Sequence, residues 1–253
     1  MRSLFPLCLA ALLALPLPAR AEDEPAPRPM TVDRPSLGSS SLTVGTGVVQ
    51  LESGVFLAGD RLGGPSSTSL PQTLRVGLSE DVEFRVDTNL HTWTGETAGL
   101  EDPVPGIKWT FARSEDASFG LLANVEVPTG HADLRSQRLL PGLVLLADWD
   151  LGGGTSLSLN AGGFESEDPA TGTPLLQSFT AASISQAFDD VVSGYLEVST
   201  FGPGALGDPT TVVADAGLAF QVTPDLALDL AVFRGLSSVG MNWGGTVGIT
   251  NRW

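Results

Sequence analysis

The chain of 253 residues has one cysteine, one tyrosine, two histidines and, at Lys108, a single lysine. Cys8 lies in an apolar N-terminal stretch that is expected to be removed, so the mature chain has no disulfide, thiol nucleophile or thiolate metal site. Downstream of Ala21 there is also no run of the roughly 18 consecutive apolar residues that a membrane-spanning helix needs, because Gly, Ser, Asp and Pro interrupt every hydrophobic stretch. Positive charge is scarce as well. Without Arg2 and Arg20, eleven basic residues face 29 acidic ones, a formal charge of −18, which makes nucleic acid an unsuitable partner.

At the N-terminus, Arg2, the apolar Leu4 to Leu17 and the small-x-small Ala19-Arg20-Ala21 read as a signal peptide over residues 1–21, cleaved near Glu22. Residues 22–45 are rich in Pro, Ser and charge without a hydrophobic period, and read as a flexible leader. From residue 46 to 253 the chain alternates apolar and polar residues in twelve segments. Many have the length, about nine to eleven residues, with which a tilted strand crosses a membrane. The alternation is clearest over Gln72 to Leu78, Val82 to Leu90, Gly106 to Ala112, Ser118 to Val127, Thr210 to Val222, Leu226 to Arg234 and Trp243 to Trp253. It is blurred by Gly, Ala and Ser over Thr46 to Leu57, Leu143 to Trp149, Ser156 to Gly163, Leu176 to Phe188 and Val191 to Thr200.

The connections alternate short and long. Short turns are expected at Ser79-Glu80-Asp81, Ser114-Glu115-Asp116, Asp150 to Gly154, Asp189-Asp190 and Thr223-Pro224-Asp225, with longer Gly/Pro-rich loops between. This is the layout of an all-β, single antiparallel transmembrane barrel of twelve strands, with short periplasmic turns and longer external loops. Phe84, Phe111, Phe119, Trp149, Phe220 and Trp253 fall near the expected periplasmic ends, and Trp243 near the outer end, as an aromatic girdle would. A soluble β-sandwich is the alternative fold; it would bury its apolar faces internally.

Four short motifs belong together: Thr31-Val32-Asp33-Arg34-Pro35, Gln50-Leu51-Glu52-Ser53-Gly54, Asp102-Pro103-Val104-Pro105-Gly106-Ile107-Lys108 and Val125-Glu126-Val127-Pro128-Thr129-Gly130. They resemble the outer-membrane transporter-like family named for the MetA pathway of phenol degradation. The resemblance covers most of the mature chain and implies a porin-like barrel that passes small, aromatic molecules among others.

Inward side chains of a barrel can be polar at no membrane cost, so a solute would be selected by the charges on that parity. The candidates are Glu52, Arg75, Glu83, Arg85, Asp87, Lys108, Glu126, Glu197, Asp215 and Asp229. A tight turn at Ser79 to Asp81 would put Arg75 and Arg85 directly opposite each other, in need of Glu52, Glu83 and Asp87 as partners. A salt-bridge ladder that plugs the lumen is favoured there over an anion-binding constriction.

Catalysis finds little support. His91, where a strand runs into a loop, and His131, in an external loop, have no Ser-x-Gly-type elbow or acidic orienter near them. No catalytic residue, metal site or cofactor is expected; Glu165-Ser166-Glu167-Asp168 reads as a solvated acidic loop, and Gly152-Gly153-Gly154 as a turn. The expected role is a channel or transporter in the bacterial outer membrane for passive passage of small solutes, hydrophobic or aromatic ones included. Expected partners are outer-membrane lipid and the barrel-assembly machinery. A non-conducting structural or surface-interaction barrel and an outer-membrane lipid hydrolase are the alternatives.

Overall fold

The computed structural model describes residues 30–59, 67–168 and 170–253. The expected signal peptide, the first part of the leader and the loop joining the first two strands lie outside the described residues. Thirteen strands follow in chain order: β1 (Val49–Gly59), β2 (Ser67–Gly77), β3 (Val82–Thr94), β4 (Thr97–Gly99), β5 (Val104–Arg113), β6 (Ala117–Glu126), β7 (Leu140–Gly152), β8 (Thr155–Glu167), β9 (Pro174–Ala187), β10 (Val192–Phe201), β11 (Thr211–Thr223), β12 (Leu226–Gly235) and β13 (Trp243–Arg252). Twelve of them pair antiparallel with their chain neighbours, and β1 pairs with β13, which closes the ring. The three-residue β4 pairs only with the outer extension of β3 and is not part of the wall.

Each barrel strand coincides with one of the twelve alternating segments, but several are longer. β8 continues to Glu167 and pairs with β9 through Glu167↔Pro174, so Glu165 to Glu167 is strand and not the expected loop. β3 runs on to Thr94, which places His91 in a strand, its ring 4.1 Å from that of Trp93. The reason is common to both: ladder hydrogen bonds continue past the apolar band, where alternating hydrophobicity stops but pairing does not.

The apolar parity faces outward. Leu143, Leu145, Leu196, Val198, Val232 and Val247 are exposed, while the alternate residues of the same strands are buried inside the ring. At roughly 25 cal/mol per Å² this continuous apolar belt would be costly in water and is favourable against lipid tails. A soluble sandwich puts those faces inside, so that alternative fails. Phe84, Phe111 and Trp243 are exposed on the belt; Phe119 packs edge-on against Trp149 at 5.7 Å, and Trp109 against Phe111 at 5.7 Å. Phe220 and Trp253 have the outward parity of Leu218 and Val247. Trp253 exchanges backbone hydrogen bonds with Val49, N to O at 2.8 Å and 3.1 Å, so the last residue helps seal the β1–β13 seam.

The wall's near end also receives the leader. Gly45 and Gly47 have φ of 91° and 75°, and the Gly47 N–H donates to the Gly77 carbonyl at 2.9 Å. A methyl group at Gly77 would overlap the Gly45 carbonyl oxygen. Gly77→Ala is therefore expected to lower stability by about 1–3 kcal/mol through overpacking, read as an earlier urea midpoint of the refolded barrel.

Candidate functional site: the lumen and the leader folded into it

Residues 30–45, expected as part of a flexible leader, are instead threaded through the lumen and bonded to the wall. The physical reason is a match of groups: Ser- and Gly-rich backbone offers many N–H donors, and the inward faces of the strands offer carboxylates and amides to accept them. The N–H groups of Asp33 and Arg34 donate to Glu52 at 3.3 Å and 2.9 Å. Those of Leu37 and Gly38 donate to Glu197 at 2.9 Å and 3.2 Å. Ser39 donates to the Asn160 side-chain oxygen at 2.7 Å, and Asn160 donates back to the Ser39 carbonyl at 3.0 Å. The Ser41 N–H reaches Asp148 at 2.6 Å, its carbonyl accepts from Thr110 at 2.6 Å, and its hydroxyl lies 2.6 Å from that of Ser118. Val44 completes the circuit on Glu83 at 3.0 Å. The leader thus touches inward residues from β1, β3, β5, β6, β7, β8 and β10.

Its densest anchorage is ionic. Arg75 and Arg85 stand directly opposite each other in the β2–β3 register, both buried. Arg75 binds Glu83 through Nε and Nη2, each at 2.9 Å, and Glu52 through Nη1 at 3.0 Å. Arg85 grips Asp87 through Nε at 2.9 Å and Nη2 at 2.6 Å. The remaining Arg85 nitrogen and Lys108 Nζ both point at the leader's Asp33, at 2.6 Å and 2.9 Å, and Arg75 Nη1 is 3.7 Å from it. On the other side of β1 from Arg75, Arg34 holds Asp229 of β12 at 3.1 Å and donates to Thr246 of β13 at 2.9 Å. Successive residues of opposite charge therefore strap a basic sector on β2, β3 and β5 to an acidic one on β10, β11 and β12.

The other candidates are placed less tightly. Glu197 and Asp215 are register partners on β10 and β11, and among the described residues no cation pairs with either. Glu126 lines a small outer cavity with Asp87, Glu101 and Asp102. Asp102, in the external loop before β5, is raised by burial, but the N–H of Gly130 and the hydroxyl and N–H of Ser136 outweigh this and hold its carboxyl below the usual range. His131 lies 3.8 Å from Asp133 in an exposed loop. Sequence reading missed Asp33, Arg34, Gln50, Asp148 and Asn160. Asp33, Arg34 and Gln50 lie in two of the four shared motifs, the only signal that singled them out.

Two cavities lie within the ring, and the leader lines the larger one only. A periplasmic one of 1140 Å³ is bounded by the leader from Met30 to Leu42, by Ser-rich inward faces of β8 and β9, and by turn residues such as Asp116, Gly154 and Asp190. The outer one, of 340 Å³, reaches in to Thr73 and Asp87. Arg85 binds both Asp87, which lines the outer cavity, and the leader's Asp33. Apolar inward side chains form two further groups: Leu122, Val144, Leu146, Phe179 and Ala181 with Phe164 and Phe201, and Val213, Ala231 and Phe233 with Phe56 and Tyr195.

A closed antiparallel ring of twelve strands, apolar outside and charged within, is a β-barrel of the outer-membrane type. The chain belongs to the family described as "Putative MetA-pathway of phenol degradation", which matches residues 32–253. Among solved structures it is similar to the COG4313 outer membrane channel from Pseudomonas putida F1, at 12% identity and a TM-score of 0.67, covering 87% of this chain and 100% of that one. It is also similar to the NanC porin, at 7% identity and a TM-score of 0.60, covering 80% and 98%. The KdgM porin in complex with disordered oligogalacturonate gives 9% identity and a TM-score of 0.55, covering 81% and 98%. No curated protein matches the chain.

Proposed function

We propose that the protein is an outer-membrane channel for passive passage of small solutes, exported by its signal peptide and gated by its own leader. The observation that carries this reading is the 1140 Å³ periplasmic cavity that the leader bounds inside the lumen, the leader itself being held by hydrogen bonds and ion pairs. Such contacts exchange with water more readily than a packed apolar core does. The porin and channel names of the similar structures agree with this class. The inward aromatic and aliphatic groups, Phe164, Phe179 and Phe201 among them, suit solutes with an apolar ring. No chemistry is assigned, since His91 stacks on Trp93 and His131 faces Asp133 without a serine nucleophile in either contact.

Liposome swelling tests the reading. Vesicles carrying the refolded barrel should swell in isotonic glycine or arabinose faster than protein-free vesicles. A correctly folded barrel that gives neither swelling nor conductance steps would leave a non-conducting structural barrel in its place.

A further inference from the structure

Asp33 does more than brace the wall. Of the three cations around it, Arg75 and Arg85 each have a wall carboxylate gripped by two nitrogens. Lys108 does not: among the described residues its only other carboxylate is Glu83, at 3.8 Å. When Asp33 moves away, Lys108 Nζ and Arg85 Nη1 still point at the spot its carboxylate occupied, with Arg75 Nη1 close by. A buried ammonium stripped of its partner is disfavoured until water or another anion reaches it, so an anion that takes the place of Asp33 is stabilised at that spot. The wall carboxylates there stay committed to their arginines, and the acidic Glu197, Asp215 and Asp229 lie on the opposite sector. The basic sector is therefore the part of the ring where an anion is held. The donors converge on one carboxylate-sized point, which fits a monocarboxylate better than a polyanion.

We infer that Lys108, Arg85 and Arg75 form a binding site for the carboxylate of a small solute, and that Asp33 fills this site at rest as an intramolecular stand-in. Solute and leader then compete for the same donors, so arrival of the one favours release of the other. This deepens the channel reading and rests on it for its purpose, though not for its geometry. An apolar ring carried on the carboxylate would have the inward Leu122 and Val144 of β6 and β7 next to β5 to lie against.

The test is calorimetric titration of sodium acetate and sodium benzoate into the full-length mature barrel in detergent micelles. Asp33→Ala should bind acetate saturably at one site, and the wild type about tenfold more weakly because Asp33 occupies the donors. Adding Lys108→Gln to Asp33→Ala should remove the binding, and acetamide, the neutral analogue, should give none in any variant. Asp33→Asn, which keeps the leader's shape, should show the same order with a smaller difference, and covers the case in which the alanine variant misfolds. Equal acetate binding by wild type and Asp33 variants, equal binding of acetamide, or binding that survives Lys108→Gln would overturn the proposal. Conductance of the same preparations separates the two readings. Acetate binding in a barrel that never conducts leaves the site and removes the channel; conductance without carboxylate binding does the reverse.

Discussion

Replacing Arg75 with methionine is expected to destabilise the folded barrel by about 3–5 kcal/mol, among the largest effects of any single wall substitution. The side chain is fully buried and ties three elements together: Glu52 of β1, Glu83 of β3, and the leader through the carbonyls of Thr31 at 2.8 Å and Leu42 at 3.2 Å. Methionine fills a similar volume, so little of the loss would come from packing. What remains is two buried carboxylates that lose their main cation. Glu83 would keep the Val44 N–H and the more distant Lys108, and Glu52 would keep Gln50 and the leader amides. Guanidinium unfolding in lipid vesicles reads the effect, with a large shift of midpoint for Arg75→Met. A surface control, Arg113→Met, whose pair with Asp81 is 3.6 Å and exposed, should move it little.

The second large effect concerns permeability. Deleting residues 30–45 is expected to leave a closed, heat-modifiable barrel and to raise its conductance several-fold. The ring is closed by strand pairing alone, through β1–β13 and β2–β3, and does not use the leader to complete any ladder. Clearing the leader opens the space it fills beside the periplasmic cavity, and water entering the emptied lumen re-solvates Lys108 and the arginines, which offsets the loss of Asp33. An unchanged conductance after deletion would place the barrier elsewhere, in the inward aromatic groups around Phe179 or Phe233.

Much of this architecture is legible in the sequence because a membrane barrel writes itself in parity. Leu74 and Val76 face out where Arg75 faces in, and Ile107 and Trp109 face out around Lys108, so one charged residue between two apolar ones already gives strand, face and register. The opposition of Arg75 and Arg85 follows from a tight turn and nothing more. Parity is silent where no lipid imposes it. The outer ends of β3 and β8 are held by ladder bonds, which any residue but proline can make, so Glu165 and His91 look like loop. The leader is harder still. Its bonds run from backbone N–H groups to side chains more than a hundred residues away, as from Ser39 to Asn160 and Leu37 to Glu197, and such contacts leave no period in the chain. Three inward cations matched by Glu52, Glu83 and Asp87 also appear balanced on the wall alone, so nothing in the charge count asks for Asp33.

The leader, seated in the lumen, is the proposed gate. Cys8, the one cysteine of the sequence, lies in the segment expected to be removed, and the Ser41 and Ser118 hydroxyls lie 2.6 Å apart, so Ser41→Cys with Ser118→Cys introduces a single disulfide that ties leader to wall. Single-channel conductance of that variant, recorded oxidised and then after reduction in the same bilayer, is the most direct measurement. The barrel should stay closed while the bond is intact and show openings once it is reduced. Identical conductance in both states would contradict the gating role.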